Sequence, residues 1–334
     1  MALAAILGCA GLSLTAEERA FFRDADPLGF IVFARNIDTP DQVSRLTSEL
    51  RTTIGRADAP ILVDQEGGRV ARLKPPHWRA APAAARFGEL AARDRAKAAQ
   101  AVRLNHEMIA GELYTIGITV DCAPLIDLRL PGAHDIVGDR AYGDDPHLVG
   151  DLGRAAAEGL LAGGVMPIIK HIPGHGRAMV DSHHELPRVT ADVDDLIDAD
   201  FVPFRKLNDI PWAMTAHIIY EAIDPTFPAT LSSKVIAEVI RGEIGFRGLL
   251  ISDDLSMKAL QGGLGQLAGA SLAAGCDVVL HCNGDMSEMQ AVVQGSSALS
   301  PAAQYRYEQG QARLNQHPDF DMADLAEELS DLLA

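Results

Sequence analysis

The segment "KHIPGHGRAMVDSHHELP", residues 170–187, carries residue types that are well suited to chemistry. It holds four histidines, two glycines and two prolines in eighteen residues, a composition that disfavours a helix. Three interpretations compete: a metal site, an acid–base site, or a surface loop without chemistry. The rest of the sequence must decide between them.

A metal site would need ligands from several places in the chain. The candidates are His171, His175, His183, His184, His217 and His281. The early strands lack the H-x-H pair that many barrel metallohydrolases use. The adjacent rings of His183 and His184 would point apart in an extended loop. We therefore expect no metal and no cofactor.

An acid–base site is favoured by the spacing of Asp181 and His183 within "VDSHH". Side chains two residues apart lie on the same side of an extended chain, so the carboxylate can accept a hydrogen bond from one ring nitrogen. This contact fixes the tautomer and favours the protonated ring, and the other nitrogen remains able to exchange a proton with a ligand. A surface Asp–His pair without function is the alternative.

The segment "GLLISDDLSM" places Asp253 and Asp254 at the end of an apolar run. Adjacent residues of a strand face opposite sides, so one carboxylate can face a cleft as a nucleophile. The other would cap the helix that follows.

Five further residues are candidate ligand binders. They are Asp64, Arg72, Arg140, Lys170 and His171. A carboxylate at a strand end suits hydroxyl groups, and arginine offers a fixed fork of donors for carboxylates or sugar oxygens. Arg140, within "GDRAYGDDP", could equally form a structural ion pair in a loop.

Eight short, continuously apolar runs must position these side chains. They are residues 3–11, 29–34, 60–68, 118–124, 165–171, 212–217, 248–254 and 277–282. Such runs are typical of parallel strands that are covered on both faces. Polar residues end six of them, beginning with "VDQEGG" and finishing with "HCNGD". A structural turn would carry mostly Gly, Ser, Asn or Pro at these places.

Amphipathic segments separate the runs, and "TAEERAFFRDA" opens with a capping-box pattern of Thr15 and Glu18. The alternation predicts a (β/α)8 barrel, whose chemistry lies at the carboxyl ends of its strands. A doubly wound sheet is the alternative, but "GCAGLS" matches its phosphate-binding fingerprint poorly. We expect one barrel domain over residues 1–334, with peripheral helices after about residue 300.

The formal net charge of −17 disfavours binding to nucleic acid or to an anionic membrane. No stretch approaches the length of a membrane span, which takes about 18 apolar residues. The four cysteines lie in or beside apolar runs, so we expect buried thiols and a cytoplasmic protein. The 5% content of aromatic residues suits a short soluble substrate better than a long polysaccharide. We expect a monomer.

Four separated motifs together resemble glycoside hydrolase family 3, and in particular its short cytoplasmic β-N-acetylglucosaminidases. They are "VDQEGGRVARL", "GDRAYGDDP", "KHIPGHGRAMVDSHHELP" and "ISDDLSM". The resemblance runs from the first strand to about residue 285. It implies a retaining enzyme that removes terminal N-acetylglucosamine from peptidoglycan fragments, typically N-acetylglucosamine β-1,4-linked to 1,6-anhydro-N-acetylmuramic acid, with or without peptide.

The resemblance also implies roles for single residues. Asp253 is the nucleophile, His183 the general acid/base, and Asp181 its orienting partner. Asp64, Arg72, Arg140, Lys170 and His171 match positions that contact the sugar. A histidine suits proton transfer in the cytoplasm because its ordinary pKa is about 6.5. A phosphorylase that uses the same residues, and a sugar-binding protein without catalysis, are the alternatives.

Overall fold

The computed structural model describes residues 1–130, 132, 135–178, 180, 185–314 and 321–334. Within this part of the chain, eight parallel strands close into a barrel in the order β1-β10-β9-β7-β5-β4-β3-β2. These strands are β1 (Leu3–Leu7), β2 (Pro27–Val32), β3 (Ile61–Val63), β4 (Val120–Asp121), β5 (Met166–Ile172), β7 (Trp212–Thr215), β9 (Leu249–Asp254) and β10 (Val278–His281). The strands β6 (Arg188–Val189) and β8 (Ile219–Tyr220) pair in a separate small sheet. The predicted (β/α)8 barrel is confirmed, and each apolar run overlaps one barrel strand.

The continuous apolarity of the runs reflects burial on two sides. In β9, Leu249 and Ile251 point into the barrel core, and Leu250 packs in the layer between strands and helices. In β5, Ile168 faces inward and Ile169 outward in the same way. Both faces exclude water, so the two-residue alternation of side chains leaves no alternation of polarity.

Helices surround the barrel. They are α1 (Ala16–Ala25), α2 (Pro40–Ile54), α3 (Ala84–Ala91), α4 (Arg95–Thr115), α5 (Pro146–Ala162), α6 (Val193–Asp195), α7 (Val202–Lys206), α8 (Leu264–Ala274), α9 (Met286–Gly295), α10 (Pro301–Gln311) and α11 (Met322–Leu333). The capping box of α1 is present, because Thr15 accepts from the Glu18 amide and Glu18 accepts from the Thr15 amide. Residues Leu196–Asp200 and Val235–Glu243 adopt π-helical turns.

The two helices at the end of the chain pack in different places. α10 covers the amino-terminal end of the barrel, where the Tyr307 ring lies 5.9 Å from that of Trp212 at the start of β7. α11 packs against α4, and Gln100 of α4 donates to Glu328 of α11 at 2.5 Å. Neither helix contributes a residue to the lining of the cavity at the carboxyl ends of the strands. That the chain forms a single domain stays a prediction.

Cysteine burial follows the prediction at three positions and departs from it at one. Cys9, Cys122 and Cys276 are buried as free thiols, whereas Cys282 is partly exposed to a cavity at the end of β10. Across the described ranges, no helix combines the length and the apolar character that crossing a bilayer requires.

Candidate active site

A cavity of about 280 Å³ opens at the carboxyl ends of the barrel strands. Six of the eight predicted site residues line it: Asp64, Arg72, Arg140, Lys170, His171 and Asp253. They come from two barrel strands, β5 and β9, and from the loops that follow β3 and β4, and the barrel brings them together as the sequence predicts. Asp181 and His183, the predicted acid–base pair, lie outside the described residues.

One side of the cavity is a network of alternating charges. Lys170 Nζ contacts Asp64 Oδ1 at 2.9 Å and Glu66 Oε1 at 2.7 Å. Arg72 donates to Asp64 Oδ2 at 3.0 Å. Arg140 binds Glu66 through two hydrogen bonds, from Nε at 2.9 Å and from Nη2 at 2.7 Å. Arg140 therefore makes the predicted ion pair and also lines the cavity.

This pairing keeps the network ionised although it lies below the protein surface. Burial alone would raise the pKa of Glu66, but the guanidinium of Arg140 and the ammonium of Lys170 hold it well below its usual value. Asp64 shows the same balance, with Lys170 and Arg72 lowering its pKa. The two carboxylates in turn raise the pKa of Lys170 above its ordinary range, against the effect of burial. This charged wall, formed by Asp64, Glu66, Arg72, Arg140 and Lys170, thus presents fixed donors and acceptors to a ligand.

His171 is oriented by Asp127, a residue that the sequence analysis missed. The Asp127 carboxylate accepts from His171 Nδ1 at 2.8 Å, and it also accepts from the His171 amide at 3.2 Å and the His175 amide at 2.7 Å. Burial opposes ionisation of Asp127, yet the contact with His171 keeps its pKa below the usual value. The His171 ring therefore turns its Nε2 toward the cavity, 3.9 Å from Asp253 Oδ2.

The "PGHG" turn that follows β5 carries a second buried imidazole, His175. Gly174 adopts φ +143°, a conformation that favours glycine, and its carbonyl accepts from the Tyr220 hydroxyl at 2.6 Å. A Cβ on Gly176 would meet the Leu128 carbonyl oxygen at 2.5 Å, so the second glycine allows close packing. Burial lowers the pKa of His175 to about 4, and its ring packs 5.5 Å from His171.

Asp253 is the penultimate residue of β9, and its carboxylate lines the cavity with its side chain 17% exposed. Its Oδ1 accepts from the Asp254 amide at 2.8 Å. Burial would raise the pKa of Asp253, but the neighbouring His171 ring and the Asp254 amide bring it below its usual value. Asp253 is thus an ionised carboxylate that faces the cavity, as the sequence analysis predicted for one of the pair.

The sequence analysis expected Asp254 to cap the helix that follows, and this expectation is wrong. That helix, α8, begins at Leu264 with Gly263 as its cap. The Asp254 carboxylate instead accepts from the amide and hydroxyl of Ser256, at 3.1 and 2.7 Å, and from the Cys282 amide at 3.1 Å. It fixes the turn after β9 to the end of β10.

The loop after β3 is closed by Gln65, which the sequence analysis also missed. Its side-chain oxygen accepts from the amides of Arg72 at 2.8 Å and Leu73 at 3.1 Å, and its side-chain nitrogen donates to the Leu73 carbonyl at 3.0 Å. Its own amide donates to Asp121 at 2.9 Å, and burial raises the pKa of Asp121 to about 8. Asp64, Glu66 and Arg72 are therefore held on one rigid loop.

The missed residues had a signal in the sequence. Gln65 and Glu66 stand beside Asp64 within "VDQEGG", and Asp127 interrupts the apolar run "APLIDL". An acidic side chain in an apolar run must be paired when it is buried. For the histidine candidates, no three His, Cys, Asp or Glu side chains in the part of the chain that the structure describes form a group able to hold a metal ion.

Comparison with known proteins identifies the family of the chain that carries this cavity. The profile of the glycosyl hydrolase family 3 N terminal domain matches residues 7–316. The chain belongs to glycosyl hydrolase family 3. A β-hexosaminidase of Alkalilimnicola ehrlichii is 42% identical over 285 residues, which cover 83% of this chain and 80% of that relative. The family 3 chain described here is therefore a glycoside hydrolase, and its relatives support β-hexosaminidase activity.

Two solved structures superpose on nearly the whole of this chain. NagZ from Neisseria gonorrhoeae superposes with a TM-score of 0.88 at 30% identity, covering 100% of this chain and 98% of that one. The same protein has been solved in complex with N-trifluoroacetyl-D-glucosamine. A family 3 β-N-acetylglucosaminidase from a Paenibacillus species is 32% identical with a TM-score of 0.80, and this chain spans 60% of that longer chain.

Proposed function

We propose that the enzyme is a retaining exo-β-N-acetylglucosaminidase that removes the non-reducing terminal N-acetylglucosamine from peptidoglycan fragments. One observation carries the proposal. Asp64 and Glu66 contact cations within 3.0 Å, whereas among the residues that the structure describes the basic group nearest to the Asp253 carboxylate is His171, at 3.9 Å. An ionised carboxylate without a close cation suits nucleophilic attack better than a salt-bridged one.

The reaction would proceed in two steps through a glycosyl ester. Asp253 attacks the anomeric carbon while His183, oriented by Asp181, protonates the departing oxygen. His183 then removes a proton from water, and the water releases the sugar from Asp253 with net retention. These roles for Asp181 and His183 rest on the sequence motif.

The charged wall would bind the terminal sugar. Asp64 can accept hydrogen bonds from hydroxyl groups, and Lys170, Arg72 and Arg140 can donate to sugar oxygens. The His171 Nε2, 3.9 Å from Asp253 Oδ2, would face the same sugar. A cavity of about 280 Å³ suits one sugar ring at the chain end, in agreement with an exo-acting enzyme.

The natural substrate that we propose is N-acetylglucosamine linked β-1,4 to anhydro-N-acetylmuramic acid, with or without a peptide. The N. gonorrhoeae complex with an N-acylated glucosamine supports an amino sugar at this site. We also propose that the enzyme works as a monomer in the cytoplasm, where free cysteines are kept reduced. The relatives reported above are hexosaminidases and give no support to phosphorolysis, so we propose water as the acceptor.

The deciding experiment compares Asp253→Asn with the wild type on 4-nitrophenyl β-N-acetylglucosaminide. We expect the variant to lose nearly all turnover, and added azide to restore it by forming the α-glycosyl azide in place of the ester. Asp24→Asn, which changes an exposed carboxylate on α1, is the matched control and should keep wild-type turnover. A fully active Asp253→Asn variant would overturn the proposal.

The acid–base role is tested separately with Asp181→Ala. His183 would lose the partner that fixes its tautomer, so we expect kcat to fall by about tenfold or more. The loss should be smaller for a substrate with a 2,4-dinitrophenolate leaving group, which needs less protonation. Equal losses on both substrates would contradict the assignment of His183 as the proton donor.

A further inference from the structure

Three fully buried polar side chains lie in a row behind the cavity wall: Thr215 at the end of β7, His217 just after it, and Thr230 in the short turn Ala229–Leu231. The hydroxyl oxygens of Thr215 and Thr230 are 2.7 Å apart, and Thr230 Oγ1 is 2.7 Å from His217 Nδ1. His217 Nε2 lies 3.0 Å from the backbone carbonyl of Asp254. The row ends beside Asp253.

The chemistry of the last contact fixes the direction of all the others. A carbonyl oxygen only accepts, so His217 Nε2 carries the proton in this contact. Burial lowers the pKa of His217, so its ring is neutral near neutral pH and Nδ1 is an acceptor. Thr230 must then donate to Nδ1, and Thr215 donates to Thr230. The Ala216 carbonyl lies farther from Thr230 Oγ1, at 3.2 Å, and is the weaker competitor.

The Asp254 backbone connects this row of hydrogen bonds to the Asp253 carboxylate. The Asp254 carbonyl is held by His217, and the Asp254 amide donates to Asp253 Oδ1 at 2.8 Å. The Asp254 side chain is fixed from the other side by Ser256 and by the Cys282 amide. The strand end that carries Asp253 is therefore clamped at three points.

We propose that His217, held as its neutral Nε2–H tautomer by the Thr215–Thr230 hydroxyl pair, is a positioning residue that aims the Asp253 carboxylate through the backbone of Asp254. His217 acts without touching the sugar. The inference rests on the proposed function in one respect, because it takes Asp253 as the nucleophile.

The tautomer is tested first, on the full-length resting enzyme. Histidine labelled with a heavy nitrogen isotope gives distinct NMR signals for protonated and unprotonated ring nitrogens. The chain has 11 histidines, and the His217 signals are those that vanish in His217→Asn. We expect a protonated Nε2 and an unprotonated Nδ1 near neutral pH. A ring protonated at Nδ1, or at both nitrogens, would overturn the inference.

Kinetics then separate positioning from stability. Thr230→Val replaces the hydroxyl that donates to Nδ1 by a methyl group of similar size, and we expect kcat to fall about tenfold with little change in KM. Thr47→Val is the matched control, because Thr47 is also a buried hydroxyl and donates to the Ile116 carbonyl at 2.8 Å, outside the barrel. Equal kcat values for the two variants would also overturn the inference.

Labelling of the nucleophile distinguishes a failure of this inference from a failure of the proposed function. A fluorinated β-N-acetylglucosaminide that accumulates as a glycosyl ester identifies the nucleophile by mass spectrometry of the labelled peptide. If another residue is labelled while His217 shows the expected tautomer, the assignment of Asp253 fails and the hydrogen-bonded row stands. If Asp253 is labelled and His217 shows the other tautomer, only the further inference fails.

Discussion

The Asp127 carboxylate accepts hydrogen bonds from three donors at once, and these contacts fix the orientation of the His171 ring. It holds His171 Nδ1 and the amides of His171 and His175, so both the ring and its backbone are immobilised from behind. The ring nitrogen that faces the cavity is left to meet the ligand. A carboxylate so placed determines the orientation and the tautomer of its imidazole partner.

At the residue scale we therefore expect Asp127→Asn to lower kcat/KM by about tenfold or more, because an amide cannot accept from the ring with the strength of a carboxylate. Steady-state kinetics on 4-nitrophenyl β-N-acetylglucosaminide measure the change. Asp277→Asn is the control: Asp277 is also buried and paired, with Arg241 and Arg306, but lies at the other end of the barrel. A kcat/KM equal to that of the control would contradict the role given to Asp127.

Single residues of the site were predictable when their type and position both carried information. Asp64, Lys170 and Asp253 end apolar runs, and a charged side chain at the end of a buried strand indicates a site. Asp127 and Gln65 were missed because most of their side-chain contacts are with backbone groups. The sequence shows which residue carries a carboxylate, but not which amides the fold turns toward it.

At the scale of elements, the loop after β3 is a unit. Gln65 joins its two ends, so Asp64 and Arg72 keep their positions relative to each other without help from a ligand. Three hydrogen bonds made by one buried side chain are costly to lose, because each unpaired buried group costs about 1–3 kcal/mol.

We expect Gln65→Leu to raise KM by about tenfold or more, with a smaller effect on kcat, because the sugar contacts that we propose for Asp64 and Arg72 lie on this loop. Titration calorimetry with N-acetylglucosamine should show the same loss of affinity. Gln100→Leu serves as the comparison, since it removes a glutamine contact between α4 and α11, far from the cavity. Unchanged KM in Gln65→Leu would show that the loop is rigid without this residue.

The elements themselves were predicted best where they are long or fully apolar. Each of the eight barrel strands overlaps one predicted run, although β2 begins two residues before its run and β4 has only two residues. Helix α3 was not anticipated, because Ala83 offers no side chain to cap it. The small sheet of β6 (Arg188–Val189) and β8 (Ile219–Tyr220) was not anticipated either, because two-residue strands have no readable periodicity.

At the scale of the whole molecule, the buried charges link the site to stability. Glu66 has a pKa below its usual value in the folded protein, so its contribution to stability is present above the pKa of the unfolded chain, about 4.3. That contribution is lost as pH falls toward the lower pKa of the folded state. The free energy of unfolding should therefore decrease in acid as Glu66 becomes protonated.

This sign gives a test with Glu66→Gln. We expect the variant to be less stable than the wild type at neutral pH, by about 3–5 kcal/mol, because Arg140 and Lys170 lose a buried partner. The difference should shrink as pH falls below about 4, where the wild type begins to lose the same interaction. Urea unfolding at several pH values measures it, with Glu89→Gln on the exposed face of α3 as control. A difference that grows in acid would contradict the pairing.

The network of Asp64, Glu66, Lys170, Arg72 and Arg140 has one more consequence, for the energetics of each catalytic cycle. Its charged groups lose hydration water and form their ion pairs when the chain folds, before any substrate binds. Little reorganisation remains for the moment at which positive charge develops on the sugar ring. Because the dipoles already point where they are needed, the enzyme should bind a planar, cationic mimic of the reacting sugar more tightly than the sugar itself.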